Sequence, residues 1–190
     1  QAVAHELRTP LARIRFSLEM LDIPENDENG MAKLESIDED LDEVENLIKE
    51  LSYFNYVDAG KGRQNFETSA VKDLIEAVRK QRALDLKPFD VKIEGIAEDM
   101  MLEADPNAFR RVVGNFLSNA ARYAKEKIQL SVAYSEDRRF IEVIVDDDGP
   151  GIPPEKRQDV FTPFMCLEKS RSKSMGGFGL GLAIAHRIMK

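Results

Sequence analysis

Leu34-Glu35-Ser36-Ile37-Asp38-Glu39-Asp40-Leu41-Asp42-Glu43-Val44-Glu45-Asn46-Leu47-Ile48-Lys49-Glu50-Leu51 places apolar residues at 34, 37, 41, 44, 48 and 51. Alternating steps of three and four keep one stripe of a helix apolar. The same stripe runs earlier through Leu7, Leu11, Ile14, Leu18 and Leu21. Between the two lies a break, Pro24 to Gly30, rich in Pro, Asn, Asp and Gly. Two stripes joined by a short polar loop predict an antiparallel helical hairpin. One hairpin leaves both stripes half exposed, whereas two hairpins from two chains close a four-helix bundle, so a homodimer is expected. The competing arrangement packs the stripes on the rest of the same chain.

Working outward, the 190 residues suffice for such a hairpin and a further domain of about 120 residues. With 43% hydrophobic and 33% charged residues, this reads as a soluble globular chain. Its one cysteine, Cys166, excludes an internal disulfide and agrees with a reducing compartment. The net charge of −8 and the lack of a basic stripe argue against nucleic acid as a partner. Apolar runs are only a few residues long, so neither a transmembrane helix nor a signal peptide is expected here. The start at Gln1-Ala2-Val3-Ala4 and the end at Ile188-Met189-Lys190 are both helical in pattern, which reads as a piece of a longer protein. Residues 22–50 hold twelve acidic side chains against Lys33 and Lys49, read as a solvated outer face in preference to a docking site.

Asp58-Ala59-Gly60-Lys61-Gly62 reads as a linker, with turn residues and no periodicity. After it the pattern changes. A strand is expected at Asn65 to Thr68, with Ser69 capping a helix through Leu84, and further strands at Val91 to Ile96 and Met101 to Ala104. Asp105-Pro106 is an N-cap and first-turn pair opening a helix through Tyr123. Strands follow at Ile128 to Tyr134 and Phe140 to Val145, and the mix predicts an α+β two-layer sandwich.

Five stretches carry candidate chemistry. His5-Glu6-Leu7-Arg8-Thr9-Pro10 sets a nitrogen nucleophile beside a carboxylate, with a hydroxyl one turn on. At about 100° per residue His5 swings off the apolar stripe toward solvent, and Pro10 removes a backbone donor, so a bend is expected near the histidine. Asn115-Phe116-Leu117-Ser118-Asn119 brings two amides to one helix face; such oxygens suit Mg²⁺, although capping or surface placement would also use them. Arg122 and Tyr123 extend that region, and the arginine suits a phosphate. Val145-Asp146-Asp147-Asp148-Gly149-Pro150-Gly151 ends a strand in acid and glycine: a carboxylate there can accept from an adenine amine, and Gly149 and Gly151 let backbone approach a ligand. An acidic turn is the plainer alternative, and contiguous acids fit an EF-hand poorly. Gly176-Gly177-Phe178-Gly179-Leu180-Gly181 feeds a helix whose free N–H groups favour phosphate, with no Walker A lysine. Lys169 to Met175, with Arg171, reads as a basic lid over a triphosphate, a surface loop being the competing reading.

Together these motifs resemble the sensor histidine kinases of bacterial two-component systems, over nearly the whole chain. His5 to Pro10 is similar to that family's H box, Asn115 to Tyr123 to its N box, Asp147 to Gly151 to its first glycine box, Phe161-Thr162-Pro163-Phe164 to its F box and Gly177 to Gly181 to its second glycine box. The H box and Asp147-Asp148-Gly149-Pro150-Gly151 look most like transmembrane members pairing with OmpR-like regulators. The resemblance implies a dimeric helical hairpin over 1–57, a linker over 58–64, and over 65–190 a Bergerat-type α/β two-layer sandwich that binds ATP and lacks its last strands. It further implies that His5 takes the γ-phosphoryl group, Glu6 orients its ring and accepts its proton, and Thr9 positions water for dephosphorylating a response regulator. Asn115 and Asn119 would hold Mg²⁺ and Asp147 would read adenine. Arg122, Tyr123, Phe164, Arg171 and the segment Gly177, Gly179, Leu180, Gly181 would line the nucleotide. The implied protein is an inner-membrane sensor, this chain being its cytoplasmic portion without membrane contact. Two other readings stay open: an ATPase of the same superfamily without a phosphohistidine, and a silent dimeric scaffold. Cys166 and His186 are expected to have no chemical role.

Overall fold

The computed structural model describes residues 2–21, 24, 27–58, 65–166 and 178–190, with side chains from Leu7 onward, Arg8 excepted. Two compact units divide the chain, Gln1–Ala59 and Gly60–Lys190.

The first unit is a hairpin of α1 (Ala2–Glu19) and α2 (Glu28–Asp58). Pro10 lies inside α1, where its ring leaves one carbonyl of the preceding turn without an N–H. Asp27 starts α2: its Oδ1 accepts the Gly30 N–H at 2.9 Å, filling one of the donors that a helix start leaves open. Burial along the stripes alternates with a seven-residue period. Leu41 and Ile48 are buried, and Leu11, Leu18 and Leu34 are half-buried. Leu7, Ile14, Leu21, Ile37 and Val44 are exposed by 42% or more, so one hairpin covers one side of its seam and leaves the other apolar and open. Arg15 crosses the pair: it meets Asp38 at 3.0 Å, Asp42 at 2.6 Å and Glu45 at 3.8 Å, which stand four and three residues apart on one face of α2. The hydrogen bond to Asp42 holds the guanidinium proton more tightly than usual.

The second unit contains β1 (Glu67–Ala70), α3 (Val71–Gln81), α4 (Ala83–Leu86), β2 (Asp90–Glu94), β3 (Met101–Ala104), α5 (Pro106–Tyr123), β4 (Lys127–Tyr134), β5 (Ile141–Asp147) and α6 (Gly181–Ile188), with single 3₁₀ turns at Pro154–Lys156 and Asp159–Phe161. β1 and β3 form an antiparallel pair. A separate sheet has the order β2-β4-β5, parallel between β2 and β4 and antiparallel between β4 and β5. Period two turns Ile128, Leu130 and Val132 of β4 inward, each buried. They pack beneath Val71, Ile75 and Val78 of α3 and Val113, Leu117 and Ala120 of α5, giving a helix layer on a sheet layer around one core. Burying each of the larger of these side chains contributes about 1.5–3 kcal/mol.

The expected cap and length of α3 need correction, and β1, β2, β4 and β5 begin or end one or two residues from their expected bounds. Ser69 does not cap α3. It lies in β1 opposite Leu102, and the cap residue is Ala70, with no side-chain bond. The Val71 N–H is instead taken by the Met100 carbonyl at 3.0 Å, a partner far along the chain. The helix expected through Leu84 ends at Gln81, turns at Arg82 and resumes as the short α4. By contrast β3 and α5 have the expected bounds, and Asp105 caps α5 by accepting from Asn107 and Ala108. Among the described residues no helix is long and apolar enough to cross a membrane.

Candidate functional site

The H box falls on α1. His5 and Glu6 belong to its first turns, and the Thr9 side chain is exposed one turn on. The remaining motifs belong to the second unit, where α5 is the organising element. Its start is fixed by Asp105, whose Oδ1 accepts from Asn107 N–H (2.7 Å) and Ala108 N–H (3.1 Å) while Oδ2 accepts from Asn65 N–H (2.8 Å). The Asn65 bond is the main reason this carboxyl sits below the usual aspartate range. Loss of hydration opposes it, and the helix-start N–H groups and Arg110 add to it.

Ten residues into α5, the half-buried Asn115 donates from Nδ2 to the Gly181 carbonyl at 2.8 Å. That bond ties the N box to the second glycine box across 66 residues of sequence. It also settles which end of the amide is which, because the nitrogen is committed and Oδ1 is left as an acceptor. Gly181 begins α6, and its cap residue Leu180 offers no side-chain bond, so the first-turn N–H groups of α6 have no side-chain cap. An amide oxygen thus stands beside an uncapped helix start, a pairing suited to a hard cation and a phosphate together. Asn119 lies one turn further along α5, also half-buried.

The far end of α5 meets the first glycine box. Arg122 occupies its last turn. Asp147 ends β5, exposed, and its Oδ1 accepts the Gly149 N–H at 2.9 Å. Gly149 leaves no room for a side chain: a Cβ would stand 2.5 Å from the Tyr123 carbonyl oxygen and 2.6 Å from Asp147 Oδ1. Asp148 faces the other way and accepts from Lys125 N–H (2.7 Å) and Glu126 N–H (3.1 Å), holding the turn after α5. Its lost hydration pushes the carboxyl up, but the N–H groups of Glu126, Lys127 and Lys125 outweigh that and keep it low. Sequence reasoning read the acidic run for one ligand-reading carboxylate and missed this second, structural task.

The F box and second glycine box interlock. Phe164, left-handed at φ 65°, donates its N–H to the Gly179 carbonyl at 3.0 Å. Gly179 has φ 67°, and a Cβ there would lie 2.7–2.9 Å from the backbone of Phe164 and Met165. A non-glycine residue held in this region stores strain of about 1–3 kcal/mol, a feature that clusters at ligand-binding sites. Phe161 stacks on the exposed His186 of α6, ring centroids 5.0 Å apart. Cys166 is exposed. Arg171 and Gly177 lie outside the described residues. Asn115, Gly179, Leu180 and Gly181 are brought together beside the middle of α5, and Tyr123, Asp147 and Gly149 at its C-terminal end.

Known proteins are similar to this chain in sequence and fold. The His Kinase A phospho-acceptor domain matches residues 1–60, and the histidine kinase-, DNA gyrase B- and HSP90-like ATPases match residues 104–190. The sensor protein RstB of Escherichia coli (strain K12) is 35% identical over 98% of this chain and 41% of its own. The sensor histidine kinase CpxA of the same strain is 31% identical over 99% of this chain and 40% of its own. The chain therefore spans about two fifths of the length of these relatives. Among solved structures, the Acinetobacter baumannii histidine kinase AdeS superposes with a TM-score of 0.62 at 25% identity, over 97% of this chain and 85% of that one. Full-length ShkA, solved in complex with AMPPNP, shares the fold with a TM-score of 0.77 at 21% identity, over 98% of this chain and 39% of that one.

Proposed function

We infer that this chain belongs to the sensor histidine kinases and propose that it moves the γ-phosphoryl group of ATP to His5 and then to an aspartate of a response regulator. The observation that carries the reading is the Asn115–Gly181 bond, which sets an acceptor oxygen beside the uncapped start of α6. In the first step a His5 ring nitrogen forms a bond to the γ-phosphorus, the bond to the β,γ-bridging oxygen breaks, and ADP leaves with that electron pair. Glu6 holds the ring and receives its proton. Asp147 accepts from the adenine amine, with Gly149 and Gly151 giving the base and sugar room. Arg122, Tyr123, Phe164, Arg171 and the backbone of Gly177, Gly179, Leu180 and Gly181 hold the remainder of the nucleotide.

Asn115 and Asn119 would hold a magnesium ion; the first suits it because its nitrogen is committed to Gly181 and its oxygen has no hydrogen-bond partner among the described residues. Bound there, Mg²⁺ supplies charge neutralisation of the phosphates. Thr9 positions water when the same protein dephosphorylates its regulator. The open side of the hairpin seam, with Leu7, Ile14, Ile37 and Val44 exposed, supports a homodimer closing a four-helix bundle. The chain is then the cytoplasmic portion of an inner-membrane sensor whose partner is a receiver domain.

Incubation of the full-length protein with γ-labelled ATP and Mg²⁺ tests the reading. Acid-labile, alkali-stable label on the protein that vanishes in His5→Gln is expected. Turnover without protein label would identify an ATPase lacking a phosphohistidine, and neither label nor turnover would identify a scaffold.

A further inference from the structure

A cleft of about 590 Å³ opens in the second unit where the helix layer meets the free edge of the three-stranded sheet. Phe89, Val91 and Ile93 form its apolar side, and Arg79, Lys80 and Lys87 its basic side. No carboxylate lines it. Glu76, a turn back on α3, engages Arg79 at 2.9 Å and Lys80 at 3.9 Å, which leaves three cations against one acid and Lys87 without an ion pair among the described residues. Leu84 of α4, between the lining residues Ala83 and Leu86, is 86% exposed.

β2 adds a second recognition element. The Asp90 N–H goes to the Glu126 carbonyl, on the β4 side. The alternation of a strand then turns Lys92 and Glu94 backbone groups to β4 and those of Val91 and Ile93 to the open edge. The two residues whose backbones are free are the same two whose side chains line the cleft. Asp90, Lys92 and Glu94 point to the opposite, exposed face.

We propose that this cleft docks an extended acidic segment of a partner protein, which pairs as a strand with β2 and seats apolar side chains on Phe89, Val91 and Ile93. Charge complementarity selects the acid, and the edge selects the extended backbone. The chain's own acidic run does not meet the requirement: from Glu28 on it lies in α2, where its backbone bonds are already made.

The test is fluorescence polarisation of a fluorescein-labelled heptapeptide alternating glutamate with valine, titrated with the intact chain. Saturable binding is expected, weakening with salt and by about tenfold or more in the double variant Lys80→Glu/Lys87→Glu. Amide shifts at Val91 and Ile93 should accompany it, and N-methylation of the peptide's edge-facing amides should abolish it. Equal binding of a lysine–valine peptide, or of the N-methylated peptide, overturns the proposal. So does binding to anionic phosphatidylserine vesicles in place of the peptide, or self-association that the double variant removes. His5 labelling in the double variant stays at the parent level, so this test and that of the kinase reading fail separately.

Discussion

Gly179 and Gly151 invite a paired experiment because both are left-handed, at φ 67° and 70°, yet their surroundings differ. At Gly151 a Cβ would meet nothing within 4 Å; at Gly179 it would meet the Met165 oxygen at 2.7 Å, the Phe164 carbonyl carbon at 2.8 Å and the Met165 nitrogen at 2.9 Å. Gly151→Ala therefore carries only the conformational term, about 1–2 kcal/mol for an L-residue in this region. Gly179→Ala carries the same term and an overlap with backbone that has no flexible end to swing aside. Overpacking of this kind costs about 1–3 kcal/mol more. It also forces apart the Phe164 N–H and the Gly179 carbonyl, now 3.0 Å apart. Equilibrium denaturation of both variants, read by hydrogen exchange at Phe164 and Met165, isolates the difference. Titration with a fluorescent ATP analogue should place Gly179→Ala about five- to a hundredfold weaker than Gly151→Ala if the lost free energy falls on the nucleotide-bound state. Equal stability and equal nucleotide affinity of the two variants would refute the claim that this glycine is required by contact rather than by φ.

Further expectations follow from the polar ties. Asp105 and Asp148 both have carboxyls held below the usual range, so each adds stability that is present above the ordinary aspartate pKa of about 3.9 and is lost as pH falls through the lowered value. In Asp148→Asn the acid limb of a stability–pH curve should flatten, and an unchanged limb would remove Asp148 from that role. Asn115→Ala should cost about 1 kcal/mol for the lost bond to Gly181, whereas Asn115→Asp, which sets a carboxylate against that carbonyl, should be worse in a thermal melt at neutral pH. Arg15→Gln removes three ion pairs at once, and its melting deficit should shrink between 0.1 M and 1 M salt as screening shortens from about 10 Å to about 3 Å. A deficit indifferent to salt would mean that packing of the arginine stem, not charge, holds the hairpin.

What could be read from sequence was whatever neighbouring residues decide among themselves. Asp105-Pro106 announces α5 because a carboxylate cap and a fixed φ act within one turn, and the bounds followed. The hairpin was legible for the same reason, its stripe being a property of spacing alone. Ser69 misled because the donor it would have filled is met by Met100, a carbonyl 29 residues past Val71 that no local rule can supply. The Asn115 bond to Gly181, the Phe161–His186 stack and the Asp148 clamp are of the same non-local kind. In the acidic run the excess of carboxylates over the one a ligand needs was a usable sign that another had a structural task.

Asp105 spends one carboxylate on two jobs, capping α5 and holding the Asn65 N–H where the chain enters the second unit. The two cannot be loaded separately. A pull on the segment arriving at Asn65 acts on the first turn of α5, and a helix is stiff along its axis, so the load passes to Asn115 about 15 Å away. A displacement of Asn65 is thereby met by a rigid strut, and the residue that ties that strut to Gly181 stands on the same helix.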